Sequence, residues 1–167
     1  MNMVDGTFSI LAISPDSKFM GVALASGSTL VGDKVPYTKP GVGVIATQAY
    51  TNVIYGTRGL DLLAKGLSPQ ETLNKLLGED SEKDSRQVAI MDFKKRKAVF
   101  TGVKSPEYSA EKVGQDYIVI GNLLSSKEVV DNMAKHFEFS LDSLARKMVS
   151  TLKAGSKSGG DKRARNQ

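Results

Sequence analysis

Apolar residues in this chain gather in short runs closed off by turn residues. Six such runs stand out: Thr7–Ser14 (TFSILAIS), Phe19–Ser26 (FMGVALAS), Val42–Thr47 (VGVIAT), Arg86–Asp92 (RQVAIMD), Lys97–Thr101 (KAVFT) and Tyr117–Ile120 (YIVI). Their length and β-branched content predict strands. Pro15-Asp16-Ser17 joins the first two as a hairpin, and Phe93–Arg96 joins the fourth and fifth. Tight hairpins make the sheets antiparallel. Yet GVALA, VGVIA, QVAIM and YIVI do not alternate apolar with polar, as a sheet with one wet face would. Both faces of the strands must therefore be covered.

Helical spacing fills the gaps. Asn52 caps a predicted helix that runs to Lys65, with Gly66 as its stop. Ser68-Pro69-Gln70-Glu71 is a capping box with proline at the first helical position, opening a helix to Leu77. Ser125-Ser126-Lys127-Glu128 reads as a second capping box. Behind it, Val129, Val130, Met133 and Phe137 fall on one face. Ser140 caps a fourth helix with Leu141, Leu144, Ala145, Met148 and Leu152 inward, ending at Gly155. The order is ββ, β, αα, ββ, β, αα. Two antiparallel sheets stacked on each other, with a helix pair on each outer face, satisfy this pattern: an α+β chain in αββα layers.

Composition adjusts this picture in three places. At 167 residues, 40% hydrophobic and 25% charged, the chain suits one folded domain. It has no cysteine, which excludes disulfides, thiolate zinc sites and a cysteine nucleophile. The N-terminus lacks the basic flank and apolar stretch of a signal peptide, and no run is apolar and long enough to span a bilayer. A cytoplasmic, non-membrane protein is expected. Of the net charge of +5, residues 151–167 carry +4, and the body is nearly neutral. The boundaries expected are a domain over residues 1–154 and a basic, Gly/Ser-rich, solvated tail over 155–167. Nucleic acid is a poor fit, since the tail has no interleaved aromatics. No histidine or carboxylate cluster has metal-ligand spacing, and no glycine motif cradles a phosphate, so no metal or cofactor is expected.

A polar set interrupts the apolar pattern. Gln48 ends a buried strand, and Asn52, Tyr55 and Arg58 follow at three-residue spacing on one helix face. Carboxamides and a guanidinium near a strand end can bind a carboxylate or supply oxyanion donors. The same residues can equally serve as a cap and as structural hydrogen bonds. Asn122, at the end of the last strand, is a further oxyanion donor or a turn residue.

The chain also resembles a known family. The segments TFSI, GVALAS, VPY, PGVGVIATQAY, YG.RGL, GLSP.E, RQVAI.D, FTG and IGN together resemble the Ntn-hydrolase-like family called domain of unknown function 1028, from Thr7 to the last residues. The resemblance implies the αββα fold. It implies no particular reaction. The chain departs from the family pattern where a cysteine often follows FTG, where a Gly-His pair often precedes the next strand, and where a basic residue often follows the run here ending Ala25-Ser26. The family's ending also stops at Gly159–Gln167, so a final strand reads as missing, and the edge it would leave predicts a homo-oligomer.

In Ntn hydrolases the nucleophile is the first residue of the mature chain, at the start of the first strand, and its α-amine takes the hydroxyl proton. The resemblance therefore points to Thr7, which follows Gly6 as at self-cleaving sites of that superfamily. An ordinary β-branched strand residue is the alternative. Proteasome-like relatives place a lysine about thirty residues on, which here is Lys39 or Lys34. They also place an acid after the second strand, where this chain reads Ala25-Ser26-Gly27; Ser26 is kept as a binding candidate. Two functions follow: an amidohydrolase for a small amide or peptide-like substrate, or a small-molecule binding or assembly protein that kept the fold without the chemistry.

Overall fold

The structure, a computed structural model, describes residues 6–162. Eight strands and four helices form: β1 Thr7–Ile13, β2 Met20–Ser26, β3 Pro36–Lys39, β4 Gly43–Ala49, α1 Ile54–Ala64, α2 Pro69–Gly78, β5 Arg86–Asp92, β6 Lys97–Thr101, β7 Ala110–Val113, β8 Tyr117–Asn122, α3 Glu128–Phe139 and α4 Leu144–Lys157. They build two four-stranded antiparallel sheets of order β2-β1-β8-β7 and β3-β4-β5-β6. The layers are αββα.

Side-chain alternation explains the stacking. Phe8, Ile10 and Ala12 of β1 pack with Val119 of β8 against Val130 and Met133 of α3 and Met148 of α4. Leu11 and Ile13 point the other way. They meet Val44, Ala46, Ala89 and Met91 of the second sheet, with Ile118 and Ile120 beside them. Ile45, Val88 and Ile90 on the far side of that sheet meet Leu60, Leu63 and Leu73 of α1 and α2. The central strands β1, β4, β5 and β8 are thus buried on both sides, which is why their runs read as continuously apolar. No helix among the described residues is long and apolar enough to cross a membrane.

Two strands carry no apolar run. β3 (PYTK) and β7 (AEKV) are sheet edges, and proline and charge are what edges commonly use to avoid further pairing. The Ser68 capping box forms as its sequence predicts. The one at Ser125 does not: α3 starts at Glu128 with no side-chain cap, and the Ser125 N–H is instead used on Gly160 O at 2.9 Å. The fourth helix opens at Leu144, so Leu141 and Ala145 lie exposed rather than inward.

Residues 155–162 are not a solvated tail. Gly155 lies inside α4 rather than past its end, and a Cβ there would come within 2.8 Å of Met133 Sδ and 3.0 Å of Phe8. The glycine answers to close packing, not to helix termination. The chain then turns through Gly159 and Gly160, both at positive φ, and Asp161 pairs with Leu124 beyond the end of β8. Arg163 and Arg165 lie outside the described residues.

Candidate active site

The contact between the sheets changes character at one end. Moving along β1 towards its start, the inward residues pass from Ile13 and Leu11 to Ser9 and Thr7. Across the first sheet Thr7 pairs with Ser26 on one side and Asn122 on the other. Facing them from the second sheet are Gln48 of β4 and Gln87 of β5, themselves paired. Thr7, Ser9, Gln48, Gln87 and Asn122 are fully buried, and Ser26 is half-buried.

Such burial is tolerable only if the groups satisfy one another. Ser9 Oγ donates to Gln48 Oε1 at 2.6 Å, and Gln48 Nε2 donates to Thr7 O at 3.1 Å and Gln87 Oε1 at 2.9 Å. Gln87 Oε1 also accepts from Asn122 Nδ2 at 3.1 Å. The two hydrogens of Gln87 Nε2 are shared among Gly121 O at 2.9 Å, Thr101 Oγ1 at 3.1 Å and Ala110 O at 3.3 Å. These contacts fix which way each amide faces. Asn122 Oδ1 alone in this network is buried without a hydrogen-bond partner among the described residues.

The hydroxyls at the start of β1 are also ordered. Thr7 Oγ1 donates to Ser26 Oγ at 3.0 Å, and Ser26 Oγ donates to Gly6 O at 2.6 Å. Ser26 Oγ accepts a second hydrogen from Ser28 N at 3.1 Å, which uses its one hydrogen and both lone pairs. A threonine hydroxyl and the carbonyl of the preceding peptide bond are thereby joined through one serine.

On the helix-facing side of β1, Asp161 is buried and accepts from Gly27 N at 2.9 Å. It lies so close that a Cβ would meet its carboxylate within 2.5 Å at Gly6 and 2.6 Å at Gly27. An open cavity of 340 Å³ adjoins it, bounded by Phe8, Ala25, Ser26, Gly27, Gly159 and Asp161. Gly27→Ala is expected to push this carboxylate aside and lower the melting temperature by several degrees, a cost of about 1–3 kcal/mol. Thermal denaturation of the variant checks it; an unchanged midpoint removes the close-fit account.

The other sequence candidates lie elsewhere. Lys39 pairs with Asp61 at 3.3 Å and stands opposite Gly43, at the far end of β4 from Gln48. Lys34 lies in the exposed turn that ends the short 3-10 helix Val31–Asp33, ahead of β3. Asn52 Oδ1 accepts from Ile54 N at 3.1 Å and organises the first turn of α1. Arg58 pairs with Glu79 at 2.8 Å. Tyr55 is buried and donates to Asp80 Oδ2 at 3.0 Å. Asn52, Tyr55 and Arg58 therefore do not converge with Gln48 on Thr7: Tyr55 and Arg58 turn to the end of α2.

Asp80 receives Arg86 Nε at 2.8 Å as well as Tyr55. The Arg86 hydrogen bond leads in holding its carboxyl down to about 2, and burial with the Asp80 hydrogen bond pushes the Tyr55 phenol up. A carboxyl depressed in the folded state stabilises above its unfolded value and loses that contribution as pH falls towards the folded one. The melting temperature should therefore drop between about pH 4 and pH 2, and Asp80→Asn should flatten that limb. Scanning calorimetry across this range reads both.

Ser9 and Gln87 are site residues that sequence reading passes over. Their only signal is a polar residue at an inward position of a buried strand. No group of three or more metal-binding side chains stands together among the described residues.

An αββα sandwich closed at one end by a buried hydroxyl and carboxamide network defines the class of architecture. Residues 7–167 match the family described as Family of unknown function (DUF1028), and the chain belongs to that family. It is similar to the crystal structure of a protein from Silicibacter pomeroyi assigned to the same family. The two are 31% identical, with a TM-score of 0.89, over 93% of this chain and 69% of that one. No curated protein matches the chain.

Proposed function

We propose that this chain is an N-terminal-nucleophile amidohydrolase acting on a small amide or peptide-like substrate, with Thr7 as nucleophile once the Gly6–Thr7 bond is cut. The observation that supports this is the relay from Thr7 Oγ1 through Ser26 Oγ to Gly6 O. When Thr7 Oγ attacks the Gly6 carbonyl carbon, its proton can pass to Ser26 while the Ser26 proton passes to the carbonyl oxygen. The oxyanion is thus neutralised as it forms. Collapse breaks the C–N bond, the nitrogen takes a proton, and an ester links Gly6 to Thr7. Water hydrolyses the ester, leaving a free hydroxyl and a free α-amine on Thr7.

That amine then serves as general base. Its ordinary pKa, about 8, lets it take the hydroxyl proton near neutral pH and return it to the leaving nitrogen. The acyl-enzyme is hydrolysed by water. Gln48, through its hydrogen bond to Thr7 O, holds the residue against the second sheet.

A second reading keeps the fold as a binding or assembly protein. It is favoured by the complete burial of Thr7 and by the placing of Lys39 at the opposite end of its strand. Screening an amide library with the full chain and with a chain beginning at Thr7 separates the two. Hydrolysis by the trimmed chain supports the enzyme; silence from both supports the binding protein.

A further inference from the structure

The carboxamide of Asn122 is held in one orientation and still has an acceptor to spare. Flipping it would set its oxygen against Gln87 Oε1, which already accepts from Gln48 and cannot donate. The Gln87 amide cannot turn to relieve this, because its nitrogen serves Gly121 O, Thr101 Oγ1 and Ala110 O. Asn122 Oδ1 is therefore a buried acceptor awaiting an N–H or O–H. Leaving such a group unmatched costs about 1–3 kcal/mol.

The strand register says what lies beside it. Asn122 is the direct partner of Thr7 across β1 and β8. Ile13 N donates to Asp116 O at 2.9 Å, one step beyond the last ladder pair, so the odd residues of β1 turn their N–H groups towards β8. The nitrogen of Thr7 accordingly faces Asn122, whose main-chain carbonyl is the ladder acceptor for its peptide hydrogen. In the intact chain that nitrogen has the single hydrogen of a peptide. Cutting the Gly6–Thr7 bond gives it two or three.

Resting on the reading of Thr7 as a nucleophile freed by that cut, we infer that Asn122 is a positioning residue whose Oδ1 accepts a hydrogen from the new α-amine. With one hydrogen on the ladder carbonyl and a second on Oδ1, the nitrogen lone pair is left free to turn to Oγ1, where a general base needs it. Asn122 then serves the amine as an acceptor, a role besides the oxyanion donor or turn residue that its sequence position offers. Asp161, on the other face of β1, is a charged group close to the same nitrogen and is constant across the variants below.

The test reads the amine itself. Chains beginning at Thr7 are made by specific proteolysis of a fusion, and the rate of Thr7 acetylation by acetic anhydride is followed against pH by peptide mass. An acceptor on the protonated amine raises its pKa. Relative to the parent, Asn122→Ala should lower it by about half a unit, Asn122→Asp should raise it by about one unit, and Asn122→Ser should lie close to the parent. Thermal melting of each variant checks the fold, and if Asn122→Ala does not fold, the shift in Asn122→Asp decides. Amines that titrate together in all variants overturn the inference. Because no turnover is required, an amine that follows Asn122 in a chain that hydrolyses nothing upholds this inference and removes the proposed reaction; an indifferent amine in an active chain does the reverse.

Discussion

A chain that begins at Thr7 is expected to gain amide hydrolysis, and Thr7→Ala in that chain to abolish it, with a loss of at least about 10³-fold in kcat/KM. The full chain is silent until the bond before Thr7 is cut, because an acylated nitrogen cannot accept the hydroxyl proton. The chain has no cysteine for the role. The sole histidine, His136, lies on α3 with its ring at 2.9 Å from Ser150 Oγ of α4, on the outer helix layer. Ser26→Ala should leave the trimmed chain folded yet slow cleavage of the intact one, since it removes the donor to Gly6 O. Intact mass and steady-state kinetics on the five chains read all of this. Turnover that survives Thr7→Ala would place the chemistry elsewhere.

The largest loss of stability is expected at Gln87. Gln87→Met preserves length and approximate volume while removing both ends of its hydrogen bonding. Asn122 Nδ2 is then left buried without Gln87, Gly121 O keeps only its ladder partner Ala110, and Gln48 Nε2 keeps only Thr7 O. Each orphaned group costs about 1–3 kcal/mol, so the sum is about 4 kcal/mol. For a domain of this size that lowers the melting temperature by about 10 °C. Gln48→Met on the same background should add less than it costs alone, because the two amides satisfy each other. Thermal or urea denaturation of the two single variants and the double variant measures the coupling, and strict additivity would mean the network is not a unit.

The fold was legible because burial on both strand faces leaves a mark on every residue of a run. GVALA and QVAIM could belong only to strands covered twice, and the hairpin turns made them antiparallel. Edges left no such mark: β3 and β7 are held by backbone ladders and exposed on one side, so PYTK and AEKV read as loops. Glycine misled for a related reason. Gly155 looked like a helix stop, but its lack of a side chain serves Met133 and Phe8, which are distant in sequence.

The site was legible only as far as strand order reaches. Thr7, Gln48 and Asn122 end buried strands, and strand ends on one side of a sandwich meet. Asn52, Tyr55 and Arg58 share a helix face, yet spacing along a helix does not say which neighbour that face meets; here it is α2 and Arg86, through Asp80 and Glu79. Asp161 was visible as a residue but not as a buried one, since its burial depends on two glycines far from it in the chain.

The bond between Gly27 N and Asp161 Oδ2 spans 134 residues. During synthesis at roughly 5–20 residues per second, the ribosome delivers Asp161 on the order of ten seconds after Gly27. Until Asn122 is made a nascent β1 has only β2 beside it in the sheet, and even after β8 closes the other side of the Thr7 row the carboxylate of Asp161 is still to come. The buried carboxylate beside Gly6 and Gly27 is thus a late product of translation, and a nascent chain halted before Asp161 carries the threonine without it.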